Sequence, residues 1–134
     1  MIVVDTNVIA ALYLPSDCTA HAEALLMQDA DWAAPQLWRS ELRNVLALYL
    51  RKKLLSFEQA CQIQNQAESL IASNEYQLNS VDVLKLAQAS QCSAYDCEFV
   101  ALARYLNVKL ITQDKQIMVQ FPQYASALKD IEIK

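Results

Sequence analysis

Two aspartates each close an apolar run: Ile2-Val3-Val4-Asp5-Thr6-Asn7 near the start and Leu110-Ile111-Thr112-Gln113-Asp114 near the end. An unbroken apolar run reads as a buried parallel strand. In open α/β sheets, ligands bind beyond the carboxyl ends of such strands. Two acids so placed point to one acidic site on one edge of one sheet. Two further acids sit on helical patterns that can reach it. Asp96 precedes Phe99 and Val100 by three and four residues and so shares their apolar face. Glu41 follows Trp38 by three residues and precedes Val45 by four, on the flank of a buried stripe. Four carboxylates gathered at ~5 Å repel by roughly 3 kcal/mol per pair at an effective dielectric of about 20. Such a cluster implies a bound divalent cation, or raised pKa values without one. Oxygen-only ligands favour Mg²⁺ or Mn²⁺ over zinc. The chemistry this set suits is metal-assisted phosphodiester hydrolysis, in which carboxylates fix the ion and the ion activates water.

Each acid also has a structural reading. Asp5 and Asp114 can be helix N-caps. Ser93-Ala94-Tyr95-Asp96 matches a capping signature, although a capping acid has no need to face inward. Glu41 can be a solvated side chain. These alternatives stay open at the level of single residues.

Other chemistries find little support. Glycine is absent, which eliminates Gly-rich phosphate loops and the G-x-S-x-G nucleophile elbow. The one histidine, His21, lies in an amphipathic segment with nothing to place a serine or cysteine beside it. Cys18, Cys61, Cys92 and Cys97 form no CxxC pair, so they read as small buried hydrophobes in a reducing compartment. An aspartyl-phosphate enzyme wants a second acid two residues past its nucleophile, and Asn7 occupies that place.

The elements that must position the acids follow from periodicity. Strands are expected at 2–5, 32–34, 76–78, 109–112 and, at an edge, 128–133. Helices are expected at 7–14, 19–28, 36–53, 57–73, 81–90, 94–106 and 115–120. The pattern over 36–53 is the strongest, with Trp38, Leu42, Val45 and Tyr49 in phase. Ser56 and Gln59 form a capping box for the next helix. In 81–90 two phases compete, Val81/Leu84/Ala87 and Val83/Leu86/Ala87. Without glycine, a helix end needs another left-handed residue, and Asn107 is placed for that. Alternating strands and helices imply βα units and a mainly parallel sheet.

The 134 residues suit one domain, 1–134, and 54% hydrophobic composition allows a sizeable core. No apolar run approaches the ~20 residues that span a bilayer. The first strand begins directly after Met1, leaving no room for a signal peptide, so a cytoplasmic protein is expected. A net charge of −4 argues against a general nucleic-acid coat but not against an enzyme that meets phosphates through metal ions. Arg39, Arg43, Arg51, Lys52 and Lys53 cluster along the Glu41 helix. They read either as a solvated face with dipole-favouring charges or as a partial phosphate track.

Taken together, the hydrophobic-hydrophobic-Asp5-Thr6-Asn7 opening, Ser40-Glu41-Leu42, Tyr95-Asp96 before Val100-Ala101-Leu102-Ala103, and Leu110-Ile111-Thr112-Gln113-Asp114 resemble the PIN-domain ribonucleases, in particular the VapC-type toxins. The resemblance spans nearly the whole length. It implies a five-stranded parallel sheet of order 3-2-1-4-5 flanked by helices. It implies that Asp5, Glu41, Asp96 and Asp114 bind Mg²⁺ or Mn²⁺ and cut RNA, leaving a 5′-phosphate and a 3′-hydroxyl. Thr6, Asn7 and Thr112 would support them through hydrogen bonds. It also implies a small antitoxin partner and a homodimer, which Leu12 and Tyr13, expected to be exposed, could serve. Two positions depart from the pattern. Asn107 stands where relatives often have Gly, and Gln116 where some carry a further acid. The competing class is an interaction module that keeps the fold and binds without cutting.

Overall fold

The computed structural model describes residues 1–134. The elements run β1 (Ile2–Val4), α1 (Thr6–Tyr13), α2 (Thr19–Gln28), β2 (Trp32–Pro35), α3 (Leu37–Arg51), α4 (Phe57–Ile71), β3 (Glu75–Tyr76), α5 (Ser80–Gln88), α6 (Ala94–Leu106), β4 (Leu110–Thr112), α7 (Lys115–Gln120) and β5 (Ala125–Ala127). Short 3₁₀ turns follow α4 at Ala72–Asn74 and β5 at Leu128–Asp130.

All pairings are parallel and the strand order is β3-β2-β1-β4-β5, as the resemblance implied. The chain steps outward from β1 to β3, then crosses back and steps outward again from β4 to β5. Right-handed crossovers therefore place α1 to α4 on one face and α5 to α7 on the other. The order reverses between β1 and β4, which pair as Val3↔Leu110 and Val4↔Ile111. That reversal is a topological switch point, where such sheets form crevices at the strands' carboxyl ends.

One core cluster joins both faces, from Val3 in β1 to Leu128 after β5. Trp32, Trp38, Phe99, Leu42 and Leu102 are fully buried in it. The central strands carry no polar residue before Asp5 and Thr112, because both faces are covered. In α5 the competition of phases is decided by packing against α6: Val83 and Leu86 are buried, Val81 and Leu84 exposed. The Ser56/Gln59 capping box of α4 is complete. Asn107 ends α6 at φ 54, ψ 48, and its N–H bonds back to Ala103 and Arg104 carbonyls.

Element bounds fall within one or two residues of expectation except at the carboxyl-terminal edge. The edge strand is not 128–133 but Ala125–Ala127, paired to β4 through Leu110↔Ala125 and Thr112↔Ala127. The segment 128–130 coils instead into a 3₁₀ turn that buries Leu128. The cysteine expectation also needs one correction. Cys18, Cys92 and Cys97 are buried and reduced, but Cys61 is exposed on α4. No helix is long and apolar enough to cross a membrane.

Candidate active site

The site is built outward from β1 and β4. Asp5 N–H donates to the Ile111 carbonyl at 3.0 Å, which fixes the first acid beside the end of β4. Asp5 caps α1: its Oδ1 accepts from Thr6 N at 2.7 Å. Its Oδ2 accepts from Thr112 Oγ1 at 2.7 Å, and more distantly from Asn7 Nδ2 at 3.5 Å. The Thr112 hydroxyl also accepts from Asp114 N at 2.9 Å, so one buried side chain ties both strand-end acids together. Asp114 caps α7 with Oδ1, taking Gln116 N at 2.8 Å and Ile117 N at 3.1 Å. The capping readings of Asp5 and Asp114 are therefore realised, and both residues line a cleft of ≈ 710 Å³ as well.

Glu41 enters the same cleft from α3, and its Oε1 accepts from Thr6 Oγ1 at 2.7 Å. Asp96 enters from α6, on the opposite face of the sheet. Ser93 Oγ accepts from Asp96 N at 3.0 Å and caps that helix. Four segments widely separated in the chain thus deliver Asp5, Glu41, Asp96 and Asp114 to one cleft at the switch point. The carboxylates ring the cleft rather than meet at a point, and no three of them form a closed ligand cage.

The electrostatics follow from burial. Asp5 is 6% exposed, and loss of solvent pushes its pKa up to about 7; the Thr112 bond opposes this, and Glu41 and Asp96 add to it. Burial also raises Glu41, with the Thr6 bond lowering it and Asp96 and Glu98 repelling its charge. Asp96 is raised by burial and then by Asp114, against a hydrogen bond with Ser93. Burial and mutual repulsion disfavour the charged forms of Asp5, Glu41 and Asp96, and a hard divalent cation, which takes oxygen ligands alone, would relieve both. The donor chemistry therefore suits Mg²⁺ or Mn²⁺ rather than zinc.

Asn7 and Gln113 form a clamp that the sequence did not reveal. Asn7 Oδ1 accepts from Gln113 N at 3.1 Å, and Gln113 Nε2 donates to the Asn7 carbonyl at 2.8 Å. The only signal for Gln113 was its place between Thr112 and Asp114. The phosphate-track reading of Arg39 is corrected. Its guanidinium holds Glu75 through Nε and Nη2, each at 2.6 Å, and Glu68 through Nη1 at 2.9 Å. Arg43, Arg51, Lys52 and Lys53 are exposed, and none of the five basic residues lines the cleft. His21 is also accounted for, with Nδ1 on the Ile131 carbonyl at 2.9 Å.

The chain is similar in sequence and in fold to known proteins. The chain is 32% identical over 127 residues to Ribonuclease VapC3 of Pyrobaculum aerophilum, covering 90% of this chain and 95% of that protein. Among solved structures, FitAcB from Neisseria gonorrhoeae superposes with a TM-score of 0.74 at 18% identity, covering 97% of this chain and 99% of that one. A toxin-antitoxin complex from Klebsiella pneumoniae contains a chain that superposes with a TM-score of 0.72 at 17% identity, covering 96% and 98%. The PIN domain family profile matches residues 2–124, nearly the full span from β1 to β5, and this chain belongs to the PIN-domain family.

Proposed function

We propose that residues 1–134 act as one Mg²⁺-dependent endoribonuclease, the toxin of a toxin–antitoxin pair. The observation that carries this reading is the meeting of four carboxylates from four separate segments in one cleft at the sheet's switch point. The relative named Ribonuclease VapC3 supports the activity, and the neighbour solved as a toxin–antitoxin complex supports the biological setting. A small antitoxin, a homodimeric assembly and a cytoplasmic location belong to the same proposal. The net charge of −4 suits a basic partner segment.

The residues divide the work. Asp5 and Asp96 would hold Mg²⁺ or Mn²⁺ and position it against the scissile phosphate. The ion, when bound, supplies a lowered pKa for water and countercharge for the transferring phosphoryl group. Asp114, held by its cap, keeps one carboxylate oxygen for the cleft. Glu41, whose Oε1 accepts from Thr6 Oγ1, would orient water or accept its proton. Water oxygen bonds to phosphorus as the bond from phosphorus to the 3′ oxygen breaks. The 5′-phosphate stays on one fragment, and the 3′ oxygen leaves with a proton.

Asp5→Asn and Asp96→Asn test this directly. Each is expected to cut the rate of single-stranded RNA cleavage by at least ~10³-fold with the fold retained by circular dichroism. Calorimetric Mn²⁺ binding should weaken in parallel. Undiminished cleavage in excess chelator, or in either variant, refutes the proposal. A catalytically silent module would instead bind no Mn²⁺ at millimolar concentration and cut no RNA.

A further inference from the structure

The cleft is larger than an ion and a phosphate require. Beyond the acids it continues along a wall that includes Leu14 of the α1 end and Leu37, Val45 and Tyr49 of α3, with Asn44 beside them. Leu14, Leu37, Val45 and Tyr49 are partly or wholly buried against the core, and Asn44 is exposed. Across the cleft, Tyr95 stands next to Asp96 and is 63% exposed, although it lines the same space. An aromatic ring left in solvent beside an acidic site does no packing work for the fold.

We infer that the apolar half of this cleft is a nucleobase subsite, in which Tyr95 stacks on a base of single-stranded RNA next to the scissile phosphate. The inference rests on the endoribonuclease reading above and names the contact that gives it substrate. Four carboxylates repel a polyanion's phosphates unless a cation intervenes, whereas its bases are neutral and can enter the apolar half directly. Every base offers a π-face, and stacking on tyrosine is a common way to hold unpaired RNA. Asn44 adds an amide with both donor and acceptor capacity at the base's edge. The cleft opens at β1 and β4, which are interior strands with both ladders paired, so no free edge is available for strand addition.

The test is steady-state cleavage of a single-stranded RNA oligonucleotide with Mn²⁺, using Tyr95→Ala and Tyr95→Phe. Tyr95→Ala should raise KM by roughly fivefold to a hundredfold, while Tyr95→Phe stays near the parent protein. The kcat at saturation should remain within about twofold. Walking a single abasic site along the oligonucleotide should locate one position next to the cut that raises KM similarly. On that abasic substrate Tyr95→Ala should have no further effect. Calorimetric Mn²⁺ affinity should be unchanged in both variants, which separates stacking from a disturbance of Asp96. An unmoved KM in Tyr95→Ala, with the parent protein cutting normally, overturns the subsite alone. So does a variant that lowers kcat and Mn²⁺ affinity together, or one that weakens only binding to a protein partner. A parent protein that cuts no RNA overturns the subsite and the nuclease reading together.

Discussion

Thr112 shows how much a single buried hydroxyl can control. It is fully buried, it donates to Asp5 and it accepts from the backbone of Asp114. Its bond is the largest influence holding the Asp5 carboxyl down against burial. Thr112→Val keeps the shape and removes both bonds. It is expected to destabilise the protein by about 1–3 kcal/mol in urea denaturation, because a buried carboxylate and a part-buried N–H lose partners. It should also raise the Asp5 pKa further, so Mn²⁺ affinity near neutral pH should fall. An unchanged Mn²⁺ isotherm would show that Thr112 shapes the fold alone. At this scale the acids were legible because each stood at a strand end or on an apolar helix face. The partners of Thr112 were not, since a bond across 107 residues leaves no local pattern. Arg39 was misleading for the same reason. Its cation looked available in the sequence, but Glu75 in β3 and Glu68 in α4 consume it.

Among the elements, helix ends were more legible than edge strands. Asn107 takes the left-handed conformation that ends α6 and turns the chain into β4. Asn107→Gly should be neutral or slightly stabilising in thermal unfolding. Asn107→Ala should cost about 1 kcal/mol, since a Cβ resists that backbone region and alanine offers no compensating side-chain bond. An equal loss for both variants would place the role in the side chain rather than the backbone. β5 escaped recognition because Ala125-Ser126-Ala127 has almost none of the bulk that marks a strand. It forms because β4 presents a free ladder, and Leu128, Ile131 and Ile133 in the adjacent 128–133 drew the expectation away. β3, expected at 76–78 from Tyr76 and Leu78, is the two-residue strand Glu75–Tyr76 and leaves Leu78 outside it.

For the molecule as a whole, the acidic site works against stability. An acid whose folded pKa is raised binds more protons folded than unfolded, so its ionisation costs stability as pH rises. For Asp5 that loss runs from its ordinary value of 3.8 up to about 7. Glu75 acts in the other direction: Arg39, then Trp38, hold its pKa down, and that contribution fades as pH falls below the ordinary glutamate range. The metal-free protein should therefore melt at a higher temperature near about pH 5 than near about pH 8. Saturating Mn²⁺ should raise the melting temperature more at the higher pH, where no proton competes for Asp5. Equal shifts at both pH values would separate Asp5 from metal binding. The sheet topology was legible because alternating strand and helix patterns leave few arrangements open. The depth of the cleft and the identity of its apolar wall were not, since they depend on how α1 and α3 lean over the strand ends.

The pairing of β1 with β4 has a temporal corollary. During synthesis Asp5, Glu41 and Asp96 all precede the neighbour that anchors Asp5, because Ile111 and Thr112 are translated later. A nascent polypeptide thus carries most of the acids with no scaffold to assemble them. On the nuclease reading proposed above, the site is complete only once β4 (Leu110–Thr112) has folded back against the first strand.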